Sequence, residues 1–385
     1  MKAKIYLWAL SKHHIFVCYL RKKTENNSYK KSSLANDPNK EFEFSNGHPV
    51  AQTIKNVYFF KSMIISIFWV SILIFSGDST YGQLKGTHLL GDVGLQSGTQ
   101  PPPSFMPALA LYNYKTSKLF NGEGEKLNIP DINMFLLGFG GNFVTNLKIL
   151  GGNYGGSILL AFASSRIEGD VISTKSSLAF TDIYVQPVQL GWHSKKADFT
   201  VGYAVYLPTG KYELGGNENA GMGIFTNEFS AGSTYYFDTK KEWNISALLS
   251  YALNSKKKNT GNNEIKPGSL LSIEGGLGKT WEKKVNDNPL PMIINAGMVY
   301  YIQFKTGQDK MTVPQINSST FELKNKDKIY ALGAEANIFI PSIKSSIGVR
   351  WLSELGAINR TEGNSFFITL APCVKFFAPK SPVNQ

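Results

Sequence analysis

From about residue 104 onward, apolar and polar positions alternate with period two in about a dozen stretches of roughly 10 to 16 residues. Such alternation puts successive side chains on opposite faces of an extended strand, and strands this long and numerous exceed what a soluble sandwich uses. In 199–207, Phe199, Val201, Tyr203, Val205 and Leu207 share one face, opposite Thr200, Gly202, Ala204 and Tyr206. In 243–254, Trp243, Ile245, Ala247, Leu249, Tyr251 and Leu253 oppose Asn244, Ser246, Ser250 and Asn254. The stretches 229–237 and 294–304 follow the same rule, with Phe229, Tyr235 and Phe237 in the first and Ile294, Met298, Tyr300 and Phe304 in the second. One face is apolar and the other small and polar. A soluble barrel turns the apolar face inward and an outer-membrane barrel turns it outward, and alternation alone does not distinguish them.

The connections do. The pattern predicts strands at 104–115, 133–145, 148–163, 178–192, 197–208, 222–238, 242–255, 269–282, 290–305, 327–340, 343–354 and 364–377. Those after the even-numbered strands are short, such as Asn146-Leu147 and Pro341-Ser342, whereas those after the odd-numbered strands, including 116–132 and 306–326, are long and polar. Twelve strands with short turns at one end and long loops at the other are the signature of insertion from the periplasm. The chain is therefore expected to be all-β, an antiparallel transmembrane β-barrel of about 12 strands over 104–377. Tyr112, Trp192, Tyr206, Phe237, Trp243, Trp281 and Trp351 are expected to form interfacial girdles. Pro187 sits where the apolar register of its strand shifts, which predicts a bulge, since proline cannot donate to the ladder.

Ahead of the strands, 63–75 is the one long apolar run, flanked by Lys55 and Lys61 and followed by Thr80 and Gly82 three and one residues before Gln83. It is too short for a spanning helix and has the layout of a secretory signal peptide over 55–82. Residues 1–54 are polar and aperiodic and are expected to be an upstream extension not native to the mature protein, or disordered. Residues 83–103 are an N-terminal segment that could fold into the lumen, and 378–385 a tail.

Charge changes this picture little. Of the net +12, the first 82 residues carry 11 Lys or Arg against 5 Asp or Glu, leaving 29 basic and 23 acidic groups spread through turns and loops. No basic run interleaves with aromatics, so nucleic-acid binding is not expected. The mature part offers Cys373, His88 and His193 as soft or imidazole ligands, too few for a structural zinc site, so neither a metal nor a cofactor is expected. Cys18 lies in the part expected to be lost, which leaves no disulfide.

Three groups of residues carry a resemblance. Gln100-Pro101-Pro102-Pro103, then Thr181-Asp182-Ile183-Tyr184-Val185-Gln186-Pro187 with Leu190-Gly191-Trp192-His193, then Leu207-Pro208-Thr209-Gly210-Lys211-Tyr212 resemble the outer-membrane proteins grouped as the MetA-pathway of phenol degradation family. Glu228-Phe229-Ser230-Ala231-Gly232 and Glu274-Gly275-Gly276-Leu277-Gly278 look like further family blocks. The resemblance implies an outer-membrane channel or transporter for small hydrophobic or aromatic compounds. Two departures stand out: Phe377 is followed by eight more residues, where such barrels end on an aromatic, and Ser104 stands where glycine is expected after the prolines.

If the apolar faces meet lipid, Asp182, Glu228, Glu274, Glu335 and Arg350 point into the lumen, with the three glutamates at similar depth. They would select permeants at a constriction, or pair with Arg350 and a folded-in 83–103 to fill a narrow lumen. The second reading makes the chain a structural or surface-adhesion barrel resting on loops 116–132 and 306–326. An enzyme is not expected: His193 falls in a short periplasmic turn and His88 before the first strand. Partners would be outer-membrane lipid, the barrel assembly machinery and a small permeant.

Overall fold

The computed structural model describes residues 88–376 except 170–172, 215–217, 286–289, 314–318 and 323–326. The extension, the leader and Phe377 with the tail lie outside the described residues. The strands are β1 (Ser104–Phe120), β2 (Lys126–Ile149), β3 (Gly152–Glu168), β4 (Ser173–Lys175), β5 (Ala179–Phe180), β6 (Ile183–His193), β7 (Ala197–Leu207), β8 (Thr226–Tyr236), β9 (Trp243–Asn254), β10 (Glu264–Lys266), β11 (Leu270–Lys283), β12 (Met292–Lys305), β13 (Lys310–Val313), β14 (Ser319–Glu322), β15 (Lys328–Ile340), β16 (Ser345–Ile358), β17 (Arg360–Pro372) and β18 (Lys375–Phe376).

Twelve of them, β1, β2, β3, β6, β7, β8, β9, β11, β12, β15, β16 and β17, pair antiparallel each with the next. β17 then pairs with β1, from Leu109↔Leu370 to Phe120↔Arg360, so the sheet closes on itself. Closure leaves no strand edge unpaired, which is the condition for a sheet to stand in hydrocarbon. β4 and β5 pair with β3, β18 pairs with the start of β1, and β10, β13 and β14 form a separate three-stranded sheet.

The barrel is apolar outside. Phe199, Val201, Phe229, Ile245, Leu249, Met298 and Val349 are exposed, while Thr200, Thr234, Asn244, Ser246, Ser250 and Ser272 are buried facing inward. Leu249 is 42% exposed beside Ser250 at 4%, the reverse of a water-soluble core. Trp243 and Trp281 lie on this outer surface at the turn end, with the Lys279 ammonium 5.1 and 5.5 Å from their rings. Tyr112 and Tyr206 do not join a girdle: each is 8% exposed and turns into the lumen. Both stand at even positions of strands whose odd positions meet lipid or intermediate surroundings, so parity overrides their aromatic character.

Three connections differ from expectation. The turn after β2 falls at Leu150-Gly151, not Asn146-Leu147; both have positive φ (52° and 83°), as a two-residue hairpin turn requires, and a register shift between Val144 and Lys148 absorbs the difference. Segment 116–132 is mostly ladder, since β1 and β2 continue to Phe120 and from Lys126, leaving only a short connection. The expected loop over 355–363 is instead strand on both sides of Asn359, which has φ 56°. The bulge at Pro187 is present, as a register shift between Val185 and Val188 against β7.

Candidate functional site at the lumen insert

Residues 88–103 run inside the barrel from the level of β8 and β11 to the turn end, where β1 begins. The polar inward faces hold this insert. At the turn end Thr99 Oγ1 donates to Asp198 Oδ2 (3.2 Å) and Gln100 Nε2 to Gln189 (3.3 Å to Oε1). Higher up, Ser97 Oγ donates to the Glu274 carbonyl (3.2 Å) and Leu95 N–H to Glu335 Oε2 (3.1 Å). The Gly98 backbone lies so close to Ser233 that a Cβ there would come nearer than 3.0 Å to its N, Cα and C.

The centre of the assembly is His88, which is 5% exposed. Its Nδ1–H donates to Glu228 Oε2 (2.8 Å) and its Nε2–H to Glu274 Oε1 (2.5 Å), so the ring carries both protons. Burial disfavours that charge, but the two carboxylates outweigh it and raise the His88 pKa well above 6.5. Gly91, in a left-handed conformation (φ 81°), presents its N–H to Glu274 Oε2 (2.9 Å) and its carbonyl to Arg350 Nη1. Arg350 Nε also donates to Glu335 Oε2 (2.6 Å), and Glu335 is 6% exposed. Asp92 sits beside this network with its side chain exposed to a cavity inside the barrel; desolvation within the barrel and the charges of Glu274 and Glu228 raise its pKa, against the pull of His88 and Arg350.

Glu228, Glu274, Glu335 and Arg350 thus all face the lumen and meet across the insert, the first two through His88 and the second two directly. Asp182 is placed differently. It lies at the loop end, where it accepts N–H bonds from Gly210 (3.0 Å) and Met222 (2.7 Å) and folds the connection after β7 inward. Burial raises its pKa in spite of those bonds.

The insert divides the lumen. On its turn side is a polar cavity of about 330 Å³ lined by Asp92, Gln186, Gln189, Glu228 and Arg350 among others. On its loop side is a cavity of about 100 Å³ with His88, Leu89 and Leu90 on one wall and Tyr112, Tyr114, Tyr184, Tyr206 and Tyr301 on the others. Glu354 organises these rings: Tyr114 OH (2.7 Å), Tyr301 OH (2.8 Å) and Gly363 N–H (2.5 Å) donate to its carboxylate. Beyond it, a vestibule of about 490 Å³ with Leu119, Ile224, Ile265, Leu270 and Met311 on its apolar walls, and Lys257, Lys305, Asp309 and Lys310 also lining it, shares Met222 and Arg360 with the tyrosine cavity. From sequence, His88 is set aside as lying before the first strand, and Asp92, Glu354 and Arg360 carry no expectation. The inward parity of Glu354 on β16, four residues from Arg350, was the available signal; nothing local marks His88 or Asp92, which precede the first strand.

Residues 116–370 match the family described as "Putative MetA-pathway of phenol degradation". No curated protein matches the chain. Among solved structures, the COG4313 outer membrane channel from Pseudomonas putida F1 is similar over 72% of this chain and 97% of that one, with 12% identity and a TM-score of 0.58. The beta domain of the Bordetella autotransporter BrkA matches over 70% of this chain and 99% of its own, with 12% identity and a TM-score of 0.37. At such identity the first likeness is one of fold, that of an outer-membrane barrel.

Proposed function

The chain belongs to the phenol-degradation MetA-pathway family and is an outer-membrane β-barrel, and from that premise we propose that it is a channel for small hydrophobic or aromatic compounds. The observation that carries this reading is the tyrosine-lined cavity above the insert, reached from the loop end through the vestibule. Short turns mark the periplasmic end, so the vestibule opens to the outside and the insert lies below it. Apolar walls with a few hydroxyls fit an aromatic solute, whereas the space is too small for a sugar or peptide. Passage beyond the cavity requires the insert to yield, and polar pairs hold it there. Proteoliposomes containing the protein should take up a monocyclic phenol or arene faster than empty vesicles and should not admit a sugar. Equal uptake with and without protein would overturn the channel.

The second reading, a plugged structural barrel, draws on the same insert contacts, because Glu228, Glu274 and Glu335 all have partners. It predicts no protein-dependent uptake of either solute class. An enzyme is the less favoured class, since both nitrogens of His88 are committed to carboxylates and His193 pairs with Asp198 (3.3 Å) at a periplasmic turn.

A further inference from the structure

The His88–Glu228–Glu274 arrangement accounts for three side chains and leaves a fourth unexplained. Asp92 is brought beside them although its carboxylate has no hydrogen bond or ion-pair partner among the described residues. The reason for its position is local: Asp92 N–H donates to the Leu89 carbonyl (3.3 Å), a single turn that carries residues 88 and 92 to the same side of the insert. One donor atom each from His88, Asp92 and Glu274 then lies within 4.8 Å of the others. Around this point the Asp92, Glu228 and Glu274 carboxylates, with Glu335 beside them, face one imidazolium and the Arg350 guanidinium, so negative charge is in surplus.

We propose that this junction of the insert with β11 is a divalent-cation site of the zinc type, with His88 Nε2, Asp92 and Glu274 as ligands and lumen water completing the coordination. One nitrogen and two carboxylate oxygens are a donor set that zinc accepts at about 2.0–2.2 Å, with a fourth position left to water. Tetrahedral ligands at that length stand about 3.4 Å apart, so the Nε2–Glu274 contact opens by about an ångström and the unbonded Asp92 carboxylate swings inward. Glu228 is already where a ligating histidine needs its supporting carboxylate, because it accepts the Nδ1–H and leaves Nε2 as the coordinating atom. On binding, the imidazolium gives its Nε2 proton to solvent and its lone pair to the cation, and any proton held by Asp92 leaves as well, so each ion bound releases at least one proton. The ion would clip the insert, through His88 and Asp92, to a wall strand, through Glu274.

The test titrates chelator-stripped protein, extracted from outer membranes in detergent, with Zn²⁺ alone, and follows binding and proton release by calorimetry in two buffers of different ionisation enthalpy. One ion per chain is expected. Asp92→Asn should weaken binding at least tenfold without lowering the melting temperature of the metal-free protein, since Asp92 has no hydrogen-bond partner to lose and its charge is in surplus. Glu228→Gln should weaken it by roughly 10- to 100-fold, the usual cost of removing a supporting carboxylate. Binding that Asp92→Asn leaves at wild-type strength, or no saturable Zn²⁺ binding by the wild type, would overturn the proposal. Neither result depends on solute uptake, so the site and the channel stand or fall separately.

Discussion

Replacing Gly98 by alanine adds one methyl group at the closest approach of the insert to the barrel wall. That methyl would overlap the N, Cα and C of Ser233, near the turn end of β8, at less than the 3.0 Å below which real Cβ contacts essentially do not occur. A flexible side chain could move aside, but here the obstacle is the backbone of a strand paired on both sides. The insert must give way instead. Doing so loosens the hydrogen bonds of Leu95 to Glu335, Ser97 to Glu274, Thr99 to Asp198 and Gln100 to Gln189. At about 1 kcal/mol net for each, the seated insert would lose about 4 kcal/mol, roughly a thousandfold in occupancy at 1.4 kcal/mol per decade. No wall residue changes, so the barrel itself should remain folded and heat-modifiable in gels. Planar-bilayer conductance and protease susceptibility of residues 88–103 should both rise, with Gly141→Ala as control, because its added methyl meets the Phe105 ring at an ordinary 3.5 Å. A Gly98→Ala protein with wild-type conductance, protease resistance and melting would refute this placement of the insert.

Converting Glu228, Glu274 and Glu335 together to glutamine should shift ion selectivity toward anions if the lumen conducts, since His88 and Arg350 then lose their counter-charges; unchanged selectivity with a large loss of thermal stability would favour the plugged barrel. Glu354→Gln exchanges one of the two acceptor oxygens that serve Tyr114, Tyr301 and Gly363 for an amide donor, so at least one of these buried donors loses its acceptor, at a cost of about 1–3 kcal/mol read by urea unfolding in detergent. Leu249→Arg, on the outer face of β9, should destabilise the barrel by about 2–4 kcal/mol in lipid, whereas Ser250→Ala one residue along should cost far less; equal effects in the two variants would contradict the assigned orientation of the faces.

The twelve-strand closed barrel was legible in the chain because each stave announces itself locally. A face such as Ile245, Leu249 and Leu253 needs only period two to be recognised, and the alternation of short and long connections supplied the orientation. The inward placement of Glu228, Glu274, Glu335 and Arg350 followed from the same parity, as did the bulge at Pro187. Boundaries were less legible. The hairpin at Leu150-Gly151 replaced the one drawn at Asn146-Leu147 because the positive φ of both residues, not polarity, decides where two strands can reverse.

What the sequence determined by itself was therefore what repeats at short range: the number of barrel strands, which face meets lipid, and the inward parity of Glu228, Glu274 and Glu335. What only the tertiary structure decided was who meets whom across that lumen. His88 lies 140 residues from Glu228 and 186 from Glu274, and no pattern within a strand encodes such a meeting. It arises when closure brings the inward faces of distant staves around a segment that precedes them all, and when buried charges, denied water, must find partners in one another.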